Sequence, residues 1–233
     1  IKSYFSKYDI PGELHEDTWK NFGYNRTRNL KRARKKADYL LLMDADFVFK
    51  VYDKDFKSKL EAPAYYIRYE GKLDYQQVLL VESDSDWYYE GVTHEYLTNK
   101  VPNFKTVKAN FFRFQHEADG FNRKEKVERD IKMLLDGLKD EPDNYRYHFY
   151  LAQSYMDREK YDKAREHYLK RIEGGGWPEE VYYAKLQIGV SHIKENVAPF
   201  ETVVETLLTS YNYRPTRIEA LYYCMRYCRM KEK

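Results

Sequence analysis

The stretch Tyr39-Leu40-Leu41-Leu42-Met43-Asp44-Ala45-Asp46 passes from five apolar residues to two carboxylates one residue apart. An unbroken apolar run suits a strand buried on both faces, as in a parallel sheet. Such sheets bind ligands beyond the carboxyl ends of their strands, which is where Asp44 and Asp46 fall. Clustered carboxylates repel each other unless a cation lies between them, and hard divalent cations prefer oxygen ligands. The plainer alternative has Asp44 capping the following turn and Asp46 in solvent.

Around that strand the first half mixes β-rich runs with one helix. Ile1–Tyr8 reads as the tail of a helix, Pro11-Gly12 as a turn and Glu13–Glu16 as a short strand. Asn25–Ala37 is predicted helical, with Leu30, Ala33, Arg34 and Ala37 at helical spacing. Ala64–Tyr69 and Gln76–Val81 are β-rich and separated by Glu70-Gly71-Lys72, a hairpin pattern. Val107–Phe114 reads as a further strand leading to Gln115-His116.

After Gly120 the pattern turns helical. Val127, Ile131, Leu134, Leu135 and Leu138 fall on one face of Lys124–Leu138. Leu151, Ala152, Tyr155, Ala164 and Tyr168 then follow at the offsets of a tetratricopeptide helix pair. A second pair is predicted over Glu179–Lys194 and Pro199–Tyr211, beyond the break at Gly174-Gly175-Gly176-Trp177-Pro178. An unpaired helix, Arg217–Met230, ends the array as a cap. The expected division is an α/β domain over 1–118 and an all-α repeat domain over 119–233.

The 233 residues suffice for two ordinary domains. A net charge of +3 argues against a broad nucleic-acid footprint, despite the basic cluster Arg26–Lys36. That cluster reads as a solvated helix face, with one or two members available to an anion. Cys224 and Cys228 stack on one helix face and suit a reducing compartment. No run approaches the length of a membrane span and no secretory signal is visible, so a cytoplasmic protein is expected.

Several longer motifs carry a family likeness. Asn21-Phe22-Gly23-Tyr24-Asn25-Arg26-Thr27, Leu30, Ala33, Ala37-Asp38-Tyr39 and Asp44-Ala45-Asp46 resemble the central segment of family 2 glycosyltransferases with a GT-A fold. Trp87–Leu97, His116, Asp119-Gly120, Glu128–Ile131, Asn144–Tyr147, Phe149–Tyr155 and Gly175-Gly176-Trp177 with Glu179-Glu180 continue a subgroup's pattern that joins this domain to tetratricopeptide repeats. In that family a first strand and helix precede the point where this sequence opens. The resemblance therefore implies an incomplete Rossmann-like mixed sheet over the given residues, and leaves open whether these residues alone are active or are an inactive fragment.

The resemblance implies an inverting, metal-dependent transferase that uses a nucleotide sugar, a UDP-sugar first, with Mn²⁺ or Mg²⁺ as cofactor. It makes Asp46 the direct metal ligand and places Asp44 near the ribose or a metal-bound water. His116 is a further metal candidate, one that would tilt preference toward Mn²⁺. Glu95 is the first choice of catalytic base and Glu90 the second. His94 would orient the base or contact the acceptor. Asn21, Asn25 and Arg26 fall near the donor nucleotide, where a helix N-terminus and an arginine suit an anion. Gly91 suits close backbone approach to a ligand, and Trp87 and Tyr89 could stack on sugar faces. The acceptor, a polypeptide or a glycan, is not specified. Two other readings stay open. One is a non-catalytic interaction module with a degenerate transferase domain; the other is a metal-dependent hydrolase built on Asp44, Asp46, His94 and His116.

Overall fold

A computed structural model describes residues 1–70, 75–101, 103–116 and 123–231, with backbone alone at 116, 123 and 124. The chain forms two compact units, the first made of Ile1–Gly91 and Glu95–Glu117. The second takes the rest, including Val92–His94. The sequence places a single boundary at 118–119 and gives no sign that Val92–His94 belong with the helices. Together the units are a mixed sheet followed by a helical domain.

In the first unit, α1 (Lys2–Lys7) is followed by an irregular stretch through residue 21, and the strand expected at Glu13–Glu16 does not form. Helix α2 spans Phe22–Ala33, three residues ahead of the expected start. Its N-cap is Asn21, whose Oδ1 accepts the backbone N–H of Tyr24 at 2.8 Å. The helix stops at Ala33 rather than Ala37, because Lys35 is left-handed at φ 62° and gives its N–H to Ser83 Oγ.

The strands are β1 (Tyr39–Leu41), β2 (Phe47–Val51), β3 (Ala64–Glu70), β4 (Gln76–Glu82), β5 (Trp87–Glu90), β6 (Tyr96–Asn99), β7 (Thr106–Lys108) and β8 (Phe112–His116). One sheet has the order β1-β4-β3-β8-β2 with β7 also on β3, and β5 and β6 form a separate antiparallel hairpin. The β3–β4 hairpin matches the sequence pattern; its turn at 71–74 lies outside the described residues. The run Val107–Phe114 is divided into β7 and β8, both parallel to β3.

The expectation for Tyr39–Met43 is corrected. β1 is short, pairs antiparallel with β4 (Tyr39 opposite Glu82), and ends the sheet among the described strands. Its residues alternate instead of being buried on both faces. Leu40 and Leu42 pack inward, whereas Leu41 and Met43 are 37% and 44% exposed. On one sheet face Tyr65, Ile67, Phe112 and Phe114 form a core with Phe47 and Phe49. On the other, Leu30 of α2 meets Val81 and Trp87.

The helical unit follows its periodicity closely. Helices α3 (Arg123–Asp140), α4 (Tyr145–Asp157), α5 (Tyr161–Glu173), α6 (Pro178–Glu195), α7 (Phe200–Tyr213) and α8 (Glu219–Met230) each pack on the next. Asn144 caps α4, Pro178 opens α6, and left-handed Asn196 closes it. Ala152, Ala164 and Ala184 are fully buried, with Tyr155, Tyr168 and Tyr182 filling the space around them. The two cysteines lie partly buried on α8. No helix among the described residues is long and apolar enough to cross a membrane.

Between α4 and α5, His148 and His167 face each other with their Nδ1 atoms 2.8 Å apart. One nitrogen must donate and the other accept, so the two rings cannot both be charged without setting two N–H groups against each other. Burial lowers both pKa values, that of His167 to about 4. Because the folded values lie below the unfolded value of about 6.5, stability is full above that pH. It falls as pH drops toward 4, by about 2 kcal/mol after allowance for the solvent that reaches the pair. Thermal melts from pH 7 to 4 should show this decline, and His167→Gln should flatten it.

Candidate active site

The site is assembled by the way α2 lies on the β5 strand. Thr27 Oγ1 accepts the N–H of Tyr89 at 2.9 Å and donates to its carbonyl at 3.3 Å. One turn earlier the two backbones nearly touch: a Cβ placed on Gly23 would lie 2.2 Å from the carbonyl oxygen of Gly91. Gly23→Ala should therefore cost about 1–3 kcal/mol through overpacking, despite alanine's better helix propensity. Denaturant unfolding measures this, and unchanged stability would contradict the described seating of α2.

That seating points Arg26 at two of the expected site residues. Its Nη2 lies 2.7 Å from Oδ1 and 2.8 Å from Oδ2 of Asp44, and its Nε lies 2.7 Å from Oε1 of Glu95. The guanidinium also sits 5.6 Å from the ring centroid of Tyr89. Burial alone would lower the pKa of Arg26, but Asp44, Tyr89 and Glu95 raise it above the ordinary value. The side chain of Glu95 is only 12% exposed, and burial raises its pKa against the opposing pull of Arg26. Tyr89 is held neutral, its pKa pushed up to about 12 chiefly by burial.

Asp44 opens a tight turn, its carbonyl accepting the N–H of Phe47 at 3.2 Å, so Asp46 shares the same bend between β1 and β2. Phe47 in turn pairs with His116 at the end of β8. The His116 backbone thus falls beside the carboxylate turn; its side chain lies outside the described residues.

Other expected positions have structural duties. Asn21 is spent on capping α2. Asn25 ties down the segment before the helix, accepting the N–H of Lys20 at 3.0 Å and donating to the carbonyl of Thr18 at 3.3 Å. Gly91, at φ 107°, makes its close approach to Gly23 rather than to a ligand. Trp87 is 5% exposed, packs edge-on against Phe104, and donates its indole N–H to the carbonyl of Glu82. Glu90 is exposed at the end of β5; Glu95 alone of the two shares a described partner with Asp44. His94, left-handed at φ 51°, stacks on Tyr150 within the helical unit at 4.0 Å between centroids. Desolvation there lowers its pKa.

The basic cluster is largely neutralised within the chain. Arg28 and Arg32 share Asp17, Arg34 pairs with Asp84 and Asp86, and Lys36 with Glu13. Arg26 faces an open cleft of about 520 Å³ whose lining includes Asn25, Asn29, Met43, Asp44 and Trp19. Trp19 is 54% exposed and braced edge-on by Phe22 at 4.9 Å. It and Asn29 are site candidates that periodicity cannot find, since Trp19 lies in irregular chain and Asn29 on a helix flank.

Among the described residues no three His, Cys, Asp or Glu side chains are placed to cage a metal ion. Asp44 and Asp46, on one bend, are the residues that could hold a divalent cation here. One guanidinium nitrogen of Arg26 lies within reach of both Asp44 oxygens.

No protein-family model and no curated protein matches the sequence. Among solved structures, MamA MSR-1 C2 is 19% identical with a TM-score of 0.38, over 46% of this chain and 59% of that one. A structure of a MamA point mutant is 20% identical, with the same score and coverage. The chain thus spans about three fifths of those structures, and a likeness at this level assigns no function.

Proposed function

We propose that the first unit is the catalytic face of a GT-A-type, inverting, metal-dependent glycosyltransferase acting on a nucleotide sugar, joined to tetratricopeptide-like repeats. The observation that carries this reading is the convergence of Arg26, Asp44 and Glu95 from α2, the β1–β2 turn and the segment before β6. Three charged residues far apart in sequence are joined by one guanidinium, and two of them, Arg26 and Asp44, line an open cleft.

In this reading Asp44 and Asp46 hold a divalent cation, which when bound neutralises charge on the donor's diphosphate. Arg26 offers the same diphosphate a planar pair of donors. The acceptor hydroxyl attacks the anomeric carbon as the bond to the phosphate oxygen breaks, and its proton passes to Glu95. A raised pKa makes Glu95 a better proton acceptor than an exposed glutamate, provided that it is ionised. Repeats of this kind present binding surfaces, which suits a protein partner or a polypeptide acceptor.

The test is Mn²⁺-dependent release of UDP from a panel of UDP-sugars by the full chain. One observation favours a second reading, the non-catalytic module: Arg26 already satisfies both Asp44 and Glu95, as a structural ion network would. That reading expects no UDP release, and loss of stability as the main effect of changing either carboxylate.

A further inference from the structure

The geometry points to Arg26 as a placeholder cation, one that occupies the chelating seat of Asp44 and yields it only when a divalent cation and a diphosphate arrive together. This rests on the glycosyltransferase reading above and adds to it a mode of regulation for the same site.

The position of one atom carries the inference. Arg26 Nη2 lies almost equally far from the two oxygens of Asp44, 2.7 and 2.8 Å, which is the seat a chelated ion would take. The same guanidinium spends its Nε on Glu95, so one positive charge serves two carboxylates. Its backbone is fixed, because Thr27 and Gly23 pin this turn of α2 to Tyr89 and Gly91. Beyond that anchor the arginine side chain is long enough to turn, and it lies against the open cleft.

A free divalent cation that takes Asp44 must displace the guanidinium, leaving a side chain that is only 32% exposed without its strongest partner. Stranding a partly buried charge is costly. A diphosphate removes that cost, since it offers Arg26 a new bidentate partner while contributing oxygens to the metal. Cation and diphosphate therefore bind with positive coupling, each weakly alone. Such coupling is reciprocal by linkage. It keeps the carboxylate turn closed to free metal and opens it to the metal–nucleotide pair.

The experiment is titration of Mn²⁺ into the full chain, followed by calorimetry and by the electron paramagnetic resonance signal of free Mn²⁺, with and without saturating UDP. In the wild type, UDP should tighten Mn²⁺ binding by about tenfold or more. In Arg26→Gln, Mn²⁺ alone should bind more tightly than in the wild type and the effect of UDP should shrink toward none. Arg26→Lys keeps the charge but cannot bridge Asp44 and Glu95 as a planar fork does, so it should shift in the same direction. It carries the test if Arg26→Gln does not fold by circular dichroism. A wild type that shows the coupling, with variants that bind Mn²⁺ alone no better, would overturn the placeholder role and leave the transferase reading standing. A wild type that binds no Mn²⁺ even with UDP would overturn both.

Discussion

Replacing Asp46 by alanine should abolish Mn²⁺-dependent binding of a UDP-sugar, with affinity falling by about 100-fold or more. Asp46 lies on the bend that Asp44 opens, and the backbone of His116 is opposite the very next residue. Removing it leaves Asp44 as the one carboxylate of the pair, and Arg26 already competes for that residue. Calorimetry on the folded variant measures the loss. Asp44→Asn should be milder in one respect, because Arg26 is then released from its partner and remains free to hold phosphate. Full donor affinity in Asp46→Ala would remove the metal from the proposed chemistry.

Glu95→Gln should have the second large effect, of a different kind. Donor binding should survive, whereas transfer to an acceptor should fall by about 10²- to 10⁴-fold, the usual worth of a positioned base. The amide keeps the shape and can still accept from Arg26 Nε, so the fold is preserved while the proton acceptor is lost. Because burial raises the Glu95 pKa, the acid limb of kcat/KM should lie above the range of an exposed glutamate. Activity rises through that limb as the carboxylate ionises, and Glu95→Gln should erase it. Glu90→Gln, at an exposed position, should leave the limb in place.

The helical half was legible almost residue by residue, since each helix shows its own apolar face and its own stop signals, such as the Asn144 cap and Pro178. The sheet half was less so. An apolar run does not say how many partners a strand has, and β1 has one among the described strands, which is why Leu41 and Met43 are exposed. Asn21 and Asn25 are equally good caps by type, and only the backbone bonding distinguishes them. Gly91 could be recognised as a close-approach position, but what approaches is Gly23, in a different element. Asp44, Arg26 and Glu95 were each found as isolated candidates. That one guanidinium joins them depends on packing between distant segments, which no local pattern records.

Everything proposed for the first unit depends on its carboxylate turn gripping a nucleotide diphosphate through a divalent cation. Titration of UDP into the full chain, with Mn²⁺ and again after chelation of all metal, tests this most directly. Saturable one-to-one binding with Mn²⁺ that vanishes on chelation is the predicted result. Absence of binding in both cases, or binding indifferent to metal, would contradict it.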